Sequence, residues 1–141
     1  MDVNNYISSF QIVGNSIVDI SVKNNLVNIN DSSEIERTLD VSYAIEKQPP
    51  TDSKKVSLVN LTVSLTLSHG ELSTDIRYTV QGCFTIDNAA PDDEFEAMLD
   101  VNGCATLYSI ARADIASISA HIYYSGKILL PMLNFLDMHK E

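Results

Sequence analysis

The sequence predicts an α+β fold, in which a four-stranded antiparallel sheet is followed by C-terminal helices packed on one side of it. Apolar and polar residues alternate in four segments between residues 10 and 87, which is the period of half-buried strands. Short polar connections separate these segments. From residue 92 onward apolar residues recur instead at steps of three and four, which is the helical period. Strands followed by helices are typical of the α+β class.

The first two strands are predicted over residues 10–22 and 35–46. Gly14 interrupts the alternation in the first strand and indicates a β-bulge or a bend. Residues 24–33, which connect the two strands, are rich in Asn, Asp and Ser. These side chains bond to nearby backbone groups, so a loop is expected there.

The third and fourth strands are predicted over residues 56–68 and 75–87. Residues 48–55 include two prolines and are otherwise mostly polar, so they predict a turn before the third strand. Gly82 within the fourth strand indicates either a bulge or a close approach of another element to the backbone.

Two helices are predicted after the sheet. Acidic residues at 92–94 suit a helix N-terminus, where backbone N–H groups are unpaired, so a short helix should run to about Leu99. Asn102 is expected to cap a second helix of about 18 residues, or roughly 27 Å. Its apolar positions form one stripe: Cys104, Leu107, Ala111, Ile115, Ile118 and Ile122.

Size and composition narrow the class of protein. A chain of 141 residues predicts a single domain, residues 1–141. The formal net charge of −10 disfavours binding to nucleic acid and to anionic lipid. No apolar run is long enough to insert across a membrane, and residues 1–5 do not resemble a signal peptide, so a cytoplasmic location is expected. Cys83 and Cys104 are isolated and predict buried thiols in a reducing compartment.

No catalytic site is predicted. His69, His121 and His139 are far apart and lack the spacing of metal ligands. Neither a glycine-rich phosphate loop nor a nucleophile elbow occurs. The carboxylates at 92–96 are explained by the start of a helix. The sequence therefore predicts a protein that is not an enzyme and that uses no cofactor and no metal.

Residues 128–135 form a nearly continuous apolar run after the long helix, broken only by Asn134. Apolar surface of this extent must be covered by the chain itself, by a second copy or by a bound partner. This run is the strongest indication in the sequence of a binding function.

Several short strings follow one another along the chain: Phe10-Gln11-Ile12, Asp19-Ile20-Ser21, residues 63–67, Gln81-Gly82-Cys83-Phe84-Thr85-Ile86, Asn102-Gly103, Ala111-Arg112 and Leu130-Pro131-Met132-Leu133-Asn134-Phe135. In this order they resemble the SecB family of bacterial protein-export chaperones. The resemblance is carried by the order and spacing of the strings over nearly the whole chain, because any one of them would recur by chance.

The resemblance implies an ATP-independent chaperone, or holdase, that binds unfolded polypeptides, as in preprotein export through the Sec pathway. It also implies a homotetramer built as a dimer of dimers. The residues that match the polypeptide-binding positions of the family are Leu39, Val41, Tyr43, Met132, Leu133 and Phe135. For the three strand residues the alternative interpretation is that they belong to the core of the sheet.

Two departures from the family pattern bear on its motor protein, SecA. Asp19 matches an acidic position through which the family docks on SecA, but Lys23 stands where a Glu is expected. The chain also ends at Glu141, six residues after Phe135, without the final helix and tail of the family. The chain is therefore expected to keep client binding, whereas it lacks two features through which the family docks on SecA.

These departures leave two alternatives to the general holdase. One is a SecB-like chaperone dedicated to a specific partner, such as the antitoxin of a toxin–antitoxin pair. The other is a binding or assembly module that is not a chaperone and buries its apolar run in its own oligomer interface.

Overall fold

The computed structural model describes residues 2–26 and 34–139, so most of the predicted loop over residues 24–33 lies outside the described part. Four long antiparallel strands form one sheet in the order β1-β4-β3-β2. The strands are β1 (Gln11–Asn24), β2 (Glu36–Gln48), β3 (Lys54–His69) and β4 (Leu72–Asp87). Each predicted strand is confirmed, and β1 and β2 are the two edges.

The irregularities predicted from glycine are confirmed. The register between β1 and β4 shifts between Ile12 and Gly14, and again between Ile17 and Asp19. Gly82 of β4 lies under the long helix, where an added Cβ would be 2.7 Å from Leu107 Cδ2. The side chain of any other residue would therefore push into the core at that point.

The helices follow the sheet as α1 (Asp92–Met98), α2 (Cys104–Ile122) and α3 (Phe135–Met138), and a short 3₁₀ turn, Val3–Tyr6, precedes β1. The predicted break before α2 is wrong. A π-helical turn, Leu99–Gly103, joins α1 to α2, and Asn102 lies within it rather than capping a new helix. Leu99 and Cys104 are both buried. Their packing outweighs the local tendency of Asn102 and Gly103 to end a helix.

The core lies between α2 and the two central strands, β3 and β4. Alternate residues of both strands face the helix and are buried, in β3 from Val59 to Leu67 and in β4 from Ile76 to Ile86. The predicted stripe of α2 is buried from Cys104 to Ile115, whereas Ile118 and Ile122 are only half-buried.

The opposite face of the sheet is polar. Thr62 and Thr79 share a hydrogen bond of 2.8 Å across β3 and β4, and Gln81 donates to Asn60 at 3.0 Å. Because this outer face is polar, the apolar surface available for binding lies on the helix side, along the edge strands.

Candidate functional site

The helix side of β2 is apolar and only partly covered. Leu39, Val41 and Tyr43 lie opposite Leu65, Val63 and Leu61 of β3 and so point to the same face. The β3 residues are buried, whereas Leu39 and Val41 are half-buried and the side chain of Tyr43 is 36% exposed. These β2 residues thus pack against the core without being enclosed by it.

Residues 128–134, here called the exit segment, run back along α2 and form the second wall of this surface. Three α2 side chains hold their backbone. The Ile128 amide donates to Ser119 Oγ at 2.7 Å, Arg112 Nε donates to the Leu130 carbonyl at 3.0 Å, and the Tyr108 hydroxyl donates to the Pro131 carbonyl at 2.5 Å. The order of these contacts shows that the exit segment is antiparallel to α2.

The apolar side chains of the exit segment and α3 divide into an inner and an outer set. Ile128 and Leu130 are buried, and Phe135 is 3% exposed with its ring edge-to-face on Tyr108 at 5.7 Å between centroids. Leu133 is half-buried, whereas Met132 is 82% exposed. In this structure Phe135 is therefore a core contact, and Met132 is the most accessible of the predicted client-binding residues.

A pocket of about 310 Å³ lies between the start of β2 and the exit segment. Its walls are formed by Arg37, Leu39, Leu65, Leu67, Ile128, Leu129, Leu130 and Pro131. The volume is at the small end of the range for ligand pockets, so it suits one or two apolar side chains.

In the middle of β2, a polar cluster connects the strand to the helices. The Tyr43 hydroxyl donates to Asp100 Oδ1 at 3.0 Å and lies 3.3 Å from His139 Nδ1. His139 Nε2 is 2.6 Å from the Asp100 carbonyl oxygen. Partial burial of the ring and the bond to the Asp100 carboxylate raise the pKa of Tyr43 to about 12, so the hydroxyl is protonated at neutral pH.

A second pocket, of about 210 Å³, lies where the end of β2 meets α1. Val56, Phe95 and Leu99 contribute its apolar lining. Two ion pairs flank it, Lys47 with Glu96 at 2.6 Å and Lys55 with Asp92. The hydrogen bond to Glu96 raises the pKa of Lys47, and the bond to Lys55 lowers the pKa of Asp92.

We call the surface on the helix side of β2 between Arg37 and Lys47 the β2 groove. Ten residue steps at about 3.3 Å give it a length of roughly 33 Å. One apolar pocket lies at each end, and the Tyr43 cluster lies between them. Of the predicted site residues, the structure brings Leu39, Val41 and Tyr43 together on the strand, with the exit segment alongside.

Asp19, the predicted docking residue, lies far from the β2 groove, on β1 at the other edge of the sheet. Its carboxylate is 3.6 Å from Arg77 Nε. Its role in docking stays a prediction.

Across residues 2–26 and 34–139, no three His, Cys, Asp or Glu side chains are grouped to hold a metal ion. Burial raises the pKa of the Cys104 thiol to about 12, which keeps it protonated and unreactive. Cys83, predicted to be buried, is half-buried. No helix in the described part of the chain is both long and apolar enough to cross a membrane.

Sequence reasoning missed the residues that hold the exit segment. Tyr108, Arg112 and Ser119 were not predicted to act together. Their spacing of four and seven residues places them on one side of a helix, along the margin of the apolar stripe. Polar side chains at such a margin, followed by an apolar run with a proline, are the signal that could have revealed them.

Known proteins resemble the chain in structure but not in sequence. No family model matches the sequence, and no curated protein matches it. Among solved structures, a SecB-like chaperone of Mycobacterium tuberculosis, Rv1957, superposes with a TM-score of 0.70 over 89% of this chain and 91% of its own, at 13% identity. That protein was solved in complex with a ChAD peptide from the Rv1956 HigA1 antitoxin.

A protein of unknown function from Streptococcus agalactiae superposes with a TM-score of 0.53 at 9% identity, over 86% of this chain and 96% of its own. These likenesses show the fold: a four-stranded antiparallel sheet with the long helix on one side, as in SecB-like chaperones. The SecB-like fold expected from the sequence strings is therefore confirmed.

Replacing Tyr108 with Phe should loosen the exit segment, because the Pro131 carbonyl loses its donor. One such hydrogen bond contributes about 0.5–1.5 kcal/mol, so amide exchange of the exit segment should accelerate roughly twofold to tenfold. Hydrogen exchange followed by mass spectrometry measures this. Tyr124→Phe is the matched control, since Tyr124 is 92% exposed. Equal exchange in the two variants would contradict the role given to Tyr108.

Proposed function

We propose that the chain is an ATP-independent chaperone that holds unfolded polypeptides in the β2 groove. The observation that carries this proposal is the incompletely covered apolar side of β2, where Leu39, Val41 and Tyr43 lie beside the exit segment. A SecB-like fold supports it, because the similar Mycobacterium tuberculosis chaperone is a protein solved with a bound peptide.

An extended client fits the groove for two reasons. First, β2 is an edge strand, so its free N–H and C=O groups can pair with an added strand. Second, alternate client side chains would then face the apolar surface of Leu39 and Val41. Each apolar side chain that becomes fully buried contributes roughly 1.5–3 kcal/mol, so a few contacts suffice for binding.

Selection for the unfolded state follows from the same physics. A folded protein has already buried its apolar side chains and paired its strand edges, so it presents little that the groove can bind. Met132, which is mostly exposed beside the groove, has an unbranched side chain that adapts to different client residues. No nucleotide-driven step is required for this discrimination.

A general holdase for preproteins entering the Sec pathway is the first form of this proposal, and it places the chain in the cytoplasm, where such clients are held. This form of the proposal includes docking on SecA through Asp19, which the charge around Asp19 supports less well than the groove supports client binding. The Asp19 carboxylate is close to Arg77, and Lys23 adds a second cation to β1, so the charge around Asp19 is mixed rather than purely acidic.

A chaperone dedicated to one partner, such as an antitoxin, is the second form. It is favoured by the complex of the similar Mycobacterium tuberculosis protein with an antitoxin peptide. Dedicated binding needs the groove but not a SecA-docking surface, which suits the mixed charge of the outer sheet face.

We also propose that the chain forms a homotetramer arranged as a dimer of dimers. Edge strand β1 supports this proposal, because five of its apolar side chains are between 37% and 62% exposed: Val13, Ile17, Val18, Ile20 and Val22. An open strand edge with this much apolar surface favours pairing with another copy.

Light scattering tests the assembly. The mass of four 15.6 kDa chains is expected, and Val18→Lys with Ile20→Lys should lower it, because the two lysines place charge in the apolar interface. Leu72→Lys, at an exposed position outside β1, is the control and should keep the full mass. A monomer, or an oligomer that tolerates the β1 lysines, would contradict this arrangement.

Val41→Asp should weaken binding of a labelled, denatured and reduced polypeptide at least about tenfold, because it desolvates a charge in the β2 groove. Fluorescence anisotropy measures the affinity. Ser42→Asp carries the same charge on the outer face of the same strand and should bind as the unmodified chain does. Met132→Asp, at a mostly exposed position, should also weaken binding without affecting folding.

If Val41→Asp and Met132→Asp bind the denatured polypeptide as well as Ser42→Asp does, the groove is not the binding site. If the unmodified chain binds no denatured polypeptide, the module that is not a chaperone becomes the better interpretation.

A further inference from the structure

Three cationic residues line the pocket at the Arg37 end of the β2 groove or are linked to its wall, although the chain as a whole carries a net charge of −10. Arg37 lines the pocket. Arg112 bonds to the carbonyl of Leu130, which is part of the pocket wall. Lys127 directly precedes Ile128, another wall residue.

None of these three cations has a carboxylate of another described residue within ion-pair distance. By contrast, the four cations Lys47, Lys54, Lys55 and Arg77 are each paired with an acidic side chain. Among the described residues the two ends of the groove therefore differ: Lys47 and Lys55 at the α1 end are paired with carboxylates, whereas Arg37 at the other end is not.

The acidic residues nearest to Arg37 along the chain do not offset this charge. Glu36 and Asp40 lie opposite Ser68 and Ser64 and so point to the outer face of the sheet. The Glu34 carboxylate lies 3.1 Å from His69 Nε2 and is not within ion-pair distance of Arg37. At physiological ionic strength a charge acts mainly within about 8 Å, so Arg37, which lines the pocket, acts directly on a bound segment.

We propose that this pocket takes an apolar side chain of a client segment whose neighbouring residues are acidic. The inference rests on the proposed function and names the class of segment that the groove prefers. Leucine and proline side chains of the wall receive the apolar residue, while the Arg37 guanidinium can bond a carboxylate with two parallel N–H donors. Segments flanked by lysine would meet like charge at the same place.

Three synthetic peptides test this preference. They share one apolar core and differ only in the residues that flank it, which are glutamate, glutamine or lysine. Exposed ion pairs each contribute up to about 1 kcal/mol, so the glutamate peptide should bind roughly fivefold to tenfold more tightly than the lysine peptide at low salt. The difference should shrink as salt is raised.

Arg37→Glu should reverse the order of the glutamate and lysine peptides. Lys23→Glu makes the same change of net charge on the outer face and should leave the order unchanged. A denatured protein client, titrated in parallel, reports on the proposed function separately from the peptides.

Three results would overturn the inference while the denatured client still binds: equal affinity for the three peptides, tighter binding of the lysine peptide, or no peptide binding at all. A lower solution mass for Arg37→Glu would also overturn it, because the pocket would then be a contact between copies. Loss of binding to the denatured client by the unmodified chain would instead reject the proposed function.

Discussion

A single helix is too narrow to cover the sheet on which it packs, and the rest of the structure depends on this mismatch. A helix with its side chains is about 10 Å wide, whereas four strands spaced about 4.8 Å apart present a face of about 19 Å. Since α2 packs on β3 and β4, this helix does not cover the apolar sides of β1 and β2. Those two edges are where binding and assembly can occur.

The two edge strands differ in how far other segments of the chain cover them. Along β2, the exit segment returns beside α2 and narrows the open surface to a groove, because Tyr108, Arg112 and Ser119 satisfy backbone groups that have no strand partner. Along β1, no comparable segment of the described chain covers Ile17 and Ile20. A groove at one edge and a bare strand at the other suit a client and a second copy, respectively.

The fold was largely predictable from the sequence, because strand alternation and the helical stripe of α2 are local patterns that tertiary packing reinforced. The continuous helix was not, because the burial of Leu99 and Cys104 overrode the local preference of Asn102 and Gly103. The groove was predictable only in part. Leu39, Val41 and Tyr43 share a face by alternation, but their incomplete burial depends on where α2 lies, which no local pattern shows.

Methyl NMR of the protein, with and without a denatured and reduced polypeptide, tests most directly whether clients bind in the β2 groove. The account predicts that the methyl signals of Leu39, Val41 and Met132 shift or broaden on binding, while those of Val18 and Ile20 on β1 do not. Changes confined to β1, with the β2 and Met132 signals unmoved, would contradict it and assign client binding to the opposite edge of the sheet.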